Sequence, residues 1–506
     1  IHGGPLMAHG DALMSGENLL AEPFVAGVWG GPGPTDERRD PGDTSRIVGL
    51  VRYATAEQVE QAYAAATAAR RTWARLGAAE RAAVLYRAAD ILDADAERAG
   101  RELVLEEGKT LRDAVGEIRR SAATLRYYAG AIQHPIGSVY PPEKARLSLT
   151  RRFPLGVVAV ITPFNYPMLL PAWKVGAALA HGNTVVWKCS ELVPFSAARL
   201  AAAFAAAGLP DGALNLLPGG ADVGEAIVDH PARAAVSFTG STAVGTAIAR
   251  RLVGSGARLQ LELGGRNPAV ILADADPAFA TDLVTNGAVS GSGQKCTAIA
   301  VAIVEKPIYD DVRAALAERF AGLVVGHGLD ETTDVGPLVS EPARERFRAA
   351  VDEAVGHGAD VLCGHLAPRP TNGYYVAPTL LHRLPEGSPL LRREVFGPLL
   401  VLVPAADADE AVRIANDSEY GLNASIITAD VGRALDLADR IEAGMVHVNA
   451  VSGFPPHIPF GGIKASGFGP LEQGDTTAEF FTHPRVLNLH PHGPVNRGPG
   501  TPPGSR

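Results

Sequence analysis

The chain has 506 residues, 46% hydrophobic and 20% charged, with a formal charge of −9. That length exceeds one compact core and implies two or more domains, while the composition excludes a disordered chain. Mild acidity with few lysines excludes a basic nucleic-acid face.

Three cysteines are too few for a disulfide framework. The longest apolar run, near Leu155–Pro163, is about half of what a bilayer needs. The start, Ile1-His2-Gly3-Gly4-Pro5, lacks the charged-then-apolar layout of a secretory signal. A reducing, cytoplasmic setting is therefore expected. The opening 1–19 and the Pro/Gly-rich end 491–506 read as poorly ordered, and His490 with His492 are not read as a metal pair.

Thr55–Ala96 and Ala99–Gln133 are dense in Ala, Glu, Arg and Leu at helical spacing, which predicts long amphipathic helices. Arg146–Arg152 alternates as an exposed hairpin strand would. Gly156–Ile161 is a short buried strand, ended by Thr162-Pro163 and followed by Phe164-Asn165-Tyr166-Pro167. Pro171–His181 reads as helix, Asn183–Trp187 as strand, and Lys188-Cys189-Ser190-Glu191 follows it. Ser196–Ala207 is an alanine-rich helix closed by Gly208. Leu214–Leu217 is a strand, Val223–Asp229 a helix, and Ala235–Phe238 a strand leading into Thr239-Gly240-Ser241-Thr242 at the start of a helix. This alternation predicts an α/β fold with a parallel, doubly wound sheet.

A second α/β segment follows Leu261-Glu262-Leu263-Gly264-Gly265. Pro268–Leu272, Ala300–Val304, Leu399–Val403 and Met445–Val448 read as strands; Asp311–Ala321, Asp407–Asn416 and Val431–Ala443 read as helices. Phe480-Phe481 with Val486-Leu487 reads as a late apolar strand. Exposed apolar edges on two segments point to subunit pairing.

Cys296 lies in the polar, flexible Gly293-Gln294-Lys295-Cys296-Thr297, after Ser290-Gly291-Ser292. A thiolate attacks a carbonyl carbon, and a carboxylate such as Glu262 can activate the water that releases the thioester. Asn165, fixed between two prolines, offers an amide to an oxyanion. Lys188 and Glu191 at a strand's end can grip ribose hydroxyls, and Gly240 with Ser241 at a helix start suits a pyrophosphate. Glu394 and Phe396 in Arg393–Pro398 pair a carboxylate with a ring before a Gly-Pro break. Taken singly, each motif also has an ordinary reading: an inert buried thiol, a capping residue, a turn-forming Asn, a salt-bridged loop. Pro459–Gly467 is glycine-rich but lacks a phosphate-loop ending, so nucleoside-triphosphate binding is excluded.

Together these motifs resemble the aldehyde dehydrogenase superfamily, in the family's order, from about Phe24 to Leu489. The resemblance implies two doubly wound parallel-sheet domains plus a small β oligomerisation flap. The NAD-binding domain spans 20–135 and 155–263, the catalytic domain 264–465, and the oligomerisation segments 136–154 and 466–490, with a homodimer or homotetramer expected. It further implies Cys296 as nucleophile, Glu262 as base, Asn165 with the Cys296 amide as oxyanion hole, and Lys174 near the base's proton path. Lys188 and Glu191 would hold the adenosine ribose, Ser241 the pyrophosphate, and Glu394 with Phe396 the nicotinamide riboside. Ile161, Thr162, Pro163, Phe164, Gly220, Phe238, Thr239, Gly240, Val244 and Leu263 complete the implied cofactor site. Glu191 accepts a ribose 2′-hydroxyl but repels a 2′-phosphate, which favours NAD and leaves NADP open.

Leu170, Trp173, Lys295, Thr297, Phe454 and Phe460 are the candidate substrate-pocket residues. Within the superfamily the chain most resembles α-ketoglutaric semialdehyde dehydrogenases, sharing Pro171–Lys174, Gly293–Thr297, His457–Gly462 and Gly469–Gly474. It departs at Val301, commonly Arg there, and at Phe153, usually acidic. A broad aliphatic or aromatic aldehyde dehydrogenase, a CoA-acylating relative, which typically lacks the base, and a non-catalytic relative are the alternatives. No metal is expected.

Overall fold

A computed structural model describes residues 14–15, 18–134, 137–143, 146–365, 369–385, 387–453 and 455–490. The segments 1–13 and 491–506, expected to be poorly ordered, lie outside them, as does Phe454. Residues 14–15 and 18–19 do not follow the poorly ordered reading: Met14–Ser15 pairs with Asn18–Ala21, which runs parallel to Asp43–Arg52. Leu19 and Ala21 are drawn into the core, which anchors that strand.

Five parallel strands make the heart of the first sheet, in the order Arg258–Glu262, Arg233–Thr239, Val157–Ile161, Thr184–Lys188 and Leu214–Leu216. Val157–Ile161 is apolar at every position because both faces are covered. Val158 and Val160 share one core with Leu85 and Leu125, while Val157, Ala159 and Ile161 share another with Tyr63 and Ile248. The strand order reverses beside Val157–Ile161, so a crevice opens beyond its carboxyl end. Thr162–Phe164 and Gly240-Ser241 lie at that crevice.

The second sheet runs Asp360–Cys363, Thr379–His382, Leu399–Ala405, Ile299–Glu305, Asn267–Ile271, Asn423–Ile427 and Met445–Val448. Only its first strand is antiparallel. The chain passes from the first sheet to the second at Leu263–Arg266, and Gly467–Phe468 returns to pair with Leu261 and Glu262. Val139–Glu143, Arg146–Pro154 and Thr482–Leu489 form a separate antiparallel sheet. Phe480 and Phe481 are not in that last strand; they close the helix Thr476–Phe481, fully buried and edge to face. Packing beside Asn183, whose amide donates to the Phe481 carbonyl, overrides their strand preference.

Both long predicted helices are broken. The first is Ala56–Arg75 and Ala78–Ala94, parted at Leu76-Gly77. The second is Ala96–Glu107 and Leu111–Ala131, where Gly108 turns left-handed at φ 102° and Thr110 caps the new helix. A Cβ on Gly108 would stand 2.8 Å from Pro337 Cγ and 3.1 Å from Pro41 Cγ. Gly108→Ala is therefore expected to add strain of about 1–3 kcal/mol. Its readout is a fall of a few degrees in thermal midpoint; an unchanged midpoint would contradict that packing.

Candidate active site

Two adjoining cavities run along the crevice. One, of about 570 Å³, is lined by Ile161, Thr162, Lys188, Glu191, Gly220, Phe238 and Val244. The other, of about 720 Å³, is lined by Asn165, Leu263, Cys296, Glu394 and Phe396. Pro163, Phe164, Thr239, Gly240 and Ser241 line both, so the two are continuous. Every residue expected to hold a cofactor thus borders one channel that ends at Cys296.

The residues there fit an elongated dinucleotide. Ser241 starts the helix Thr242–Leu252, and its hydroxyl accepts from Val244 N, leaving its own hydrogen to donate at the positive helix end. Lys188 Nζ lies 3.6 Å from Glu191 Oε2 and donates to the Cys189 carbonyl. Phe164 and Phe396 meet edge on, with ring centres 5.8 Å apart. Glu394 Oε1 accepts from Gly265 N at 3.1 Å, and burial pushes its carboxyl up to about 7. The two glycines after Leu263 now have a reason. A Cβ on Gly264 would fall 2.4 Å from Glu394 Oε2, and one on Gly265 would fall 2.5 Å from the Cys296 carbonyl.

Cys296 sits after a tight turn in which Gly291 and Ser292 both hold left-handed backbone, φ 61° and 56°. Such strain persists only where the surroundings impose it. Gly291 N donates to Asp113, Ser292 Oγ to the Gly336 carbonyl, and Gln294 Oε1 accepts from Val339 N. Asn267 Nδ2 holds the Cys296 carbonyl at 2.8 Å. Asn165 Nδ2 donates to the Gln294 carbonyl at 2.9 Å, which spends one amide hydrogen and leaves the second for the cavity.

Glu262 is 4% exposed and does not line the cavity, yet its carboxylate acts electrostatically on Cys296. Burial and the neighbouring Glu472 hold its carboxyl well above the usual carboxylate range, opposed by Lys174 and the Gly462 N–H. Lys174 Nζ donates to Ser237 Oγ at 2.9 Å and closely to Glu472. Lys174 belongs to a π-helical turn, Ala172–Gly176, within the helical run that starts at Leu169.

Burial first, then the carboxylates Glu262 and Glu394, push the Cys296 thiol well up. The resting sulfur is therefore protonated near neutrality. Its alkylation by iodoacetamide, followed on the Cys296 peptide, is expected to climb about tenfold per unit from about pH 7 to about pH 9. A rate already level at neutral pH would contradict this.

Leu170, Trp173 and Phe460 are buried in one apolar cluster against which Tyr166, Cys296 and Met445 pack, and neither cavity is lined by them. Thr297 is buried, its hydroxyl accepting from Ser452 Oγ, and Lys295 Nζ donates to Ser290 Oγ. Sequence reading missed Glu472, Lys109, Glu117, Asp113 and Arg120. Glu472 stood inside a motif already singled out, but its partner Lys174 is 298 residues away. Among the described residues no group of His, Cys, Asp and Glu is arranged to hold a metal, and no helix is long and apolar enough to cross a membrane.

The aldehyde dehydrogenase family profile matches residues 33–487. The chain belongs to the aldehyde dehydrogenase family. It is 39% identical over 476 residues to alpha-ketoglutaric semialdehyde dehydrogenase of Bacillus subtilis (strain 168), covering 92% of this chain and 98% of that relative. It is also 41% identical over 433 residues to phenylacetaldehyde dehydrogenase of Pseudomonas fluorescens, covering 84% and 86%. Among solved structures, the NAD+ complex of a Bacillus cereus aldehyde dehydrogenase superposes with a TM-score of 0.91 at 32% identity, covering 96% of this chain and 99% of that one.

Proposed function

We propose that this aldehyde dehydrogenase oxidises an aldehyde to its carboxylate with NAD as hydride acceptor, and that its substrate is a semialdehyde such as α-ketoglutaric semialdehyde. The observation that carries this reading is one channel lined by Cys296 and Asn165, with the buried Glu262 carboxyl near enough to act electrostatically on Cys296. Bound NAD supplies the hydride acceptor. Cys296 gives up its thiol proton to solvent water and its Sγ adds to the aldehyde carbon, giving a thiohemiacetal whose oxyanion accepts hydrogen bonds from the second Asn165 N–H and from the Cys296 N–H. Loss of hydride leaves a thioester on Cys296. Glu262 takes a proton from water, which cleaves the thioester and releases the acid. Lys174 and Glu472 form the route by which that proton leaves Glu262.

Lys188 and Glu191 hold the adenosine ribose; the Glu191 charge favours NAD over NADP. Ser241 binds the pyrophosphate, and Glu394 with Phe396 the nicotinamide riboside. The base Glu262 favours hydrolysis over transfer to CoA. On the antiparallel sheet Val139, Leu147, Val486 and Leu489 are exposed, which supports pairing with further copies as a homodimer or homotetramer.

Two cations support an acidic tail on the substrate. Lys295 precedes Cys296 in the chain, and Arg120 acts electrostatically on both Lys295 and Tyr166, where the carboxylate Asp113 acts more strongly on each. Arg120 Nε is shut from solvent without a hydrogen-bond partner. A second reading, an aromatic aldehyde, is favoured by the apolar cluster Leu170–Trp173–Phe460 that packs against Cys296. Kinetics separate them: kcat/KM for the semialdehyde is expected to exceed that for phenylacetaldehyde at least ~10-fold, a margin lost in Arg120→Met and Lys295→Met. Preference for phenylacetaldehyde in the unaltered enzyme would overturn the semialdehyde assignment.

A further inference from the structure

The break between helices Ala96–Glu107 and Leu111–Ala131 turns Lys109 inward, where its side chain is 3% exposed. Its Nζ donates to Glu117 Oε2 at 2.7 Å and to the Asn165 carbonyl at 2.7 Å, and lies 4.4 Å from the Tyr166 ring centre. Glu107 Oε2 stands 3.9 Å away. The other Glu117 oxygen accepts from Met168 N at 2.9 Å and Leu169 N at 3.1 Å. Three main-chain groups around one buried pair, the Asn165 carbonyl and the Met168 and Leu169 amides, are thus satisfied at once.

Those contacts converge on the segment that carries Asn165 at one end and begins the helical run bearing Lys174 at the other. Asn165 is pinned from both sides: Lys109 holds its carbonyl, and its side chain reaches the turn before Cys296. One turn away on the same helix, Asp113 holds Gly291 of that turn. Apolar residues would fill such a space with equal or better stability. A charged pair does what they cannot: it fixes main-chain oxygen and nitrogen atoms in direction as well as distance.

We propose that Lys109 and Glu117 are positioning residues that set Asn165 at the angle from which its amide meets the developing oxyanion. This rests on the reading of Asn165 as an oxyanion donor. Misplacing such a group by about 1 Å lowers rates up to ~100-fold.

The test is a double-mutant cycle on the full enzyme, with kcat/KM expressed per alkylatable Cys296 so that unfolded molecules do not count. Lys109→Met is expected to lower kcat/KM by about 10–100-fold with NAD affinity unchanged. Lys109→Met/Asn165→Ala is expected to be no slower than Asn165→Ala alone, within about threefold, because Lys109 acts through Asn165. Lys109→Arg is expected to recover part of the loss. If Lys109→Met does not fold, Glu117→Gln enters the same cycle with the same expectation. Unimpaired Lys109→Met turnover, or a loss that multiplies onto that of Asn165→Ala, overturns the proposal while leaving the oxyanion reading standing. A normal rate in Asn165→Ala sinks the oxyanion reading and the proposal with it.

Discussion

Cys296→Ala is expected to lower aldehyde-dependent NADH formation by at least ~10⁴-fold while leaving NAD binding intact. The sulfur ends the channel, so its removal deletes the atom that bonds carbon without disturbing the crevice. The turn itself is held by Asp113, Gly336, Val339 and Asn267, none of which touches the sulfur through these bonds. Structural loss should therefore be small, and alanine fits where a partly buried thiol stood. The measurement is NADH absorbance with the best aldehyde, alongside NAD titration by fluorescence. Retained turnover would refute the covalent route.

The second large effect belongs to Glu262→Gln. A general base contributes about 10²–10⁴-fold, so steady turnover is expected to fall within that range. The loss should appear after the hydride step, as a burst of NADH matching the reactive Cys296 content, followed by a slow phase. Because burial and Glu472 hold the Glu262 carboxyl high, the base form gains population as pH rises. The unaltered enzyme's hydrolytic step should accelerate with pH, and the Gln variant's slow phase should lose that dependence. A normal steady rate in the variant would place the base elsewhere.

Much of the fold was legible because its strands obey a plain rule. Strands such as Val157–Ile161 and Thr184–Lys188 are buried at every position, so a short apolar run between turn signals marked each one. Thr162, Lys188 and Gly240-Ser241 were legible because they stand where buried strands end, whereas Cys296, Glu394 and Phe396 precede their strands and were marked by the family resemblance. The helix break at Gly108–Thr110 was hidden by flanking Ala, Arg, Glu and Leu that suit one continuous helix. Its local signal was there, a left-handed glycine followed by a capping threonine, and its purpose shows only in three dimensions, where Lys109 reaches Asn165 across 56 residues of chain. Glu472 was illegible for the same reason: nothing near it in sequence announces Lys174 or Glu262. Phe480 and Phe481 misled because paired aromatics favour strands, while here the core takes them from a helix end.

Sulfur, amide and carboxylate acting on one carbon is tested most directly by the mass of the Cys296 peptide. Glu262→Gln enzyme would be mixed with NAD and aldehyde, then quenched in acid after a single turnover. The expected result is a peptide heavier by the acyl group of the aldehyde used, in proportion to the NADH formed. A full equivalent of NADH beside an unmodified Cys296 peptide would contradict it.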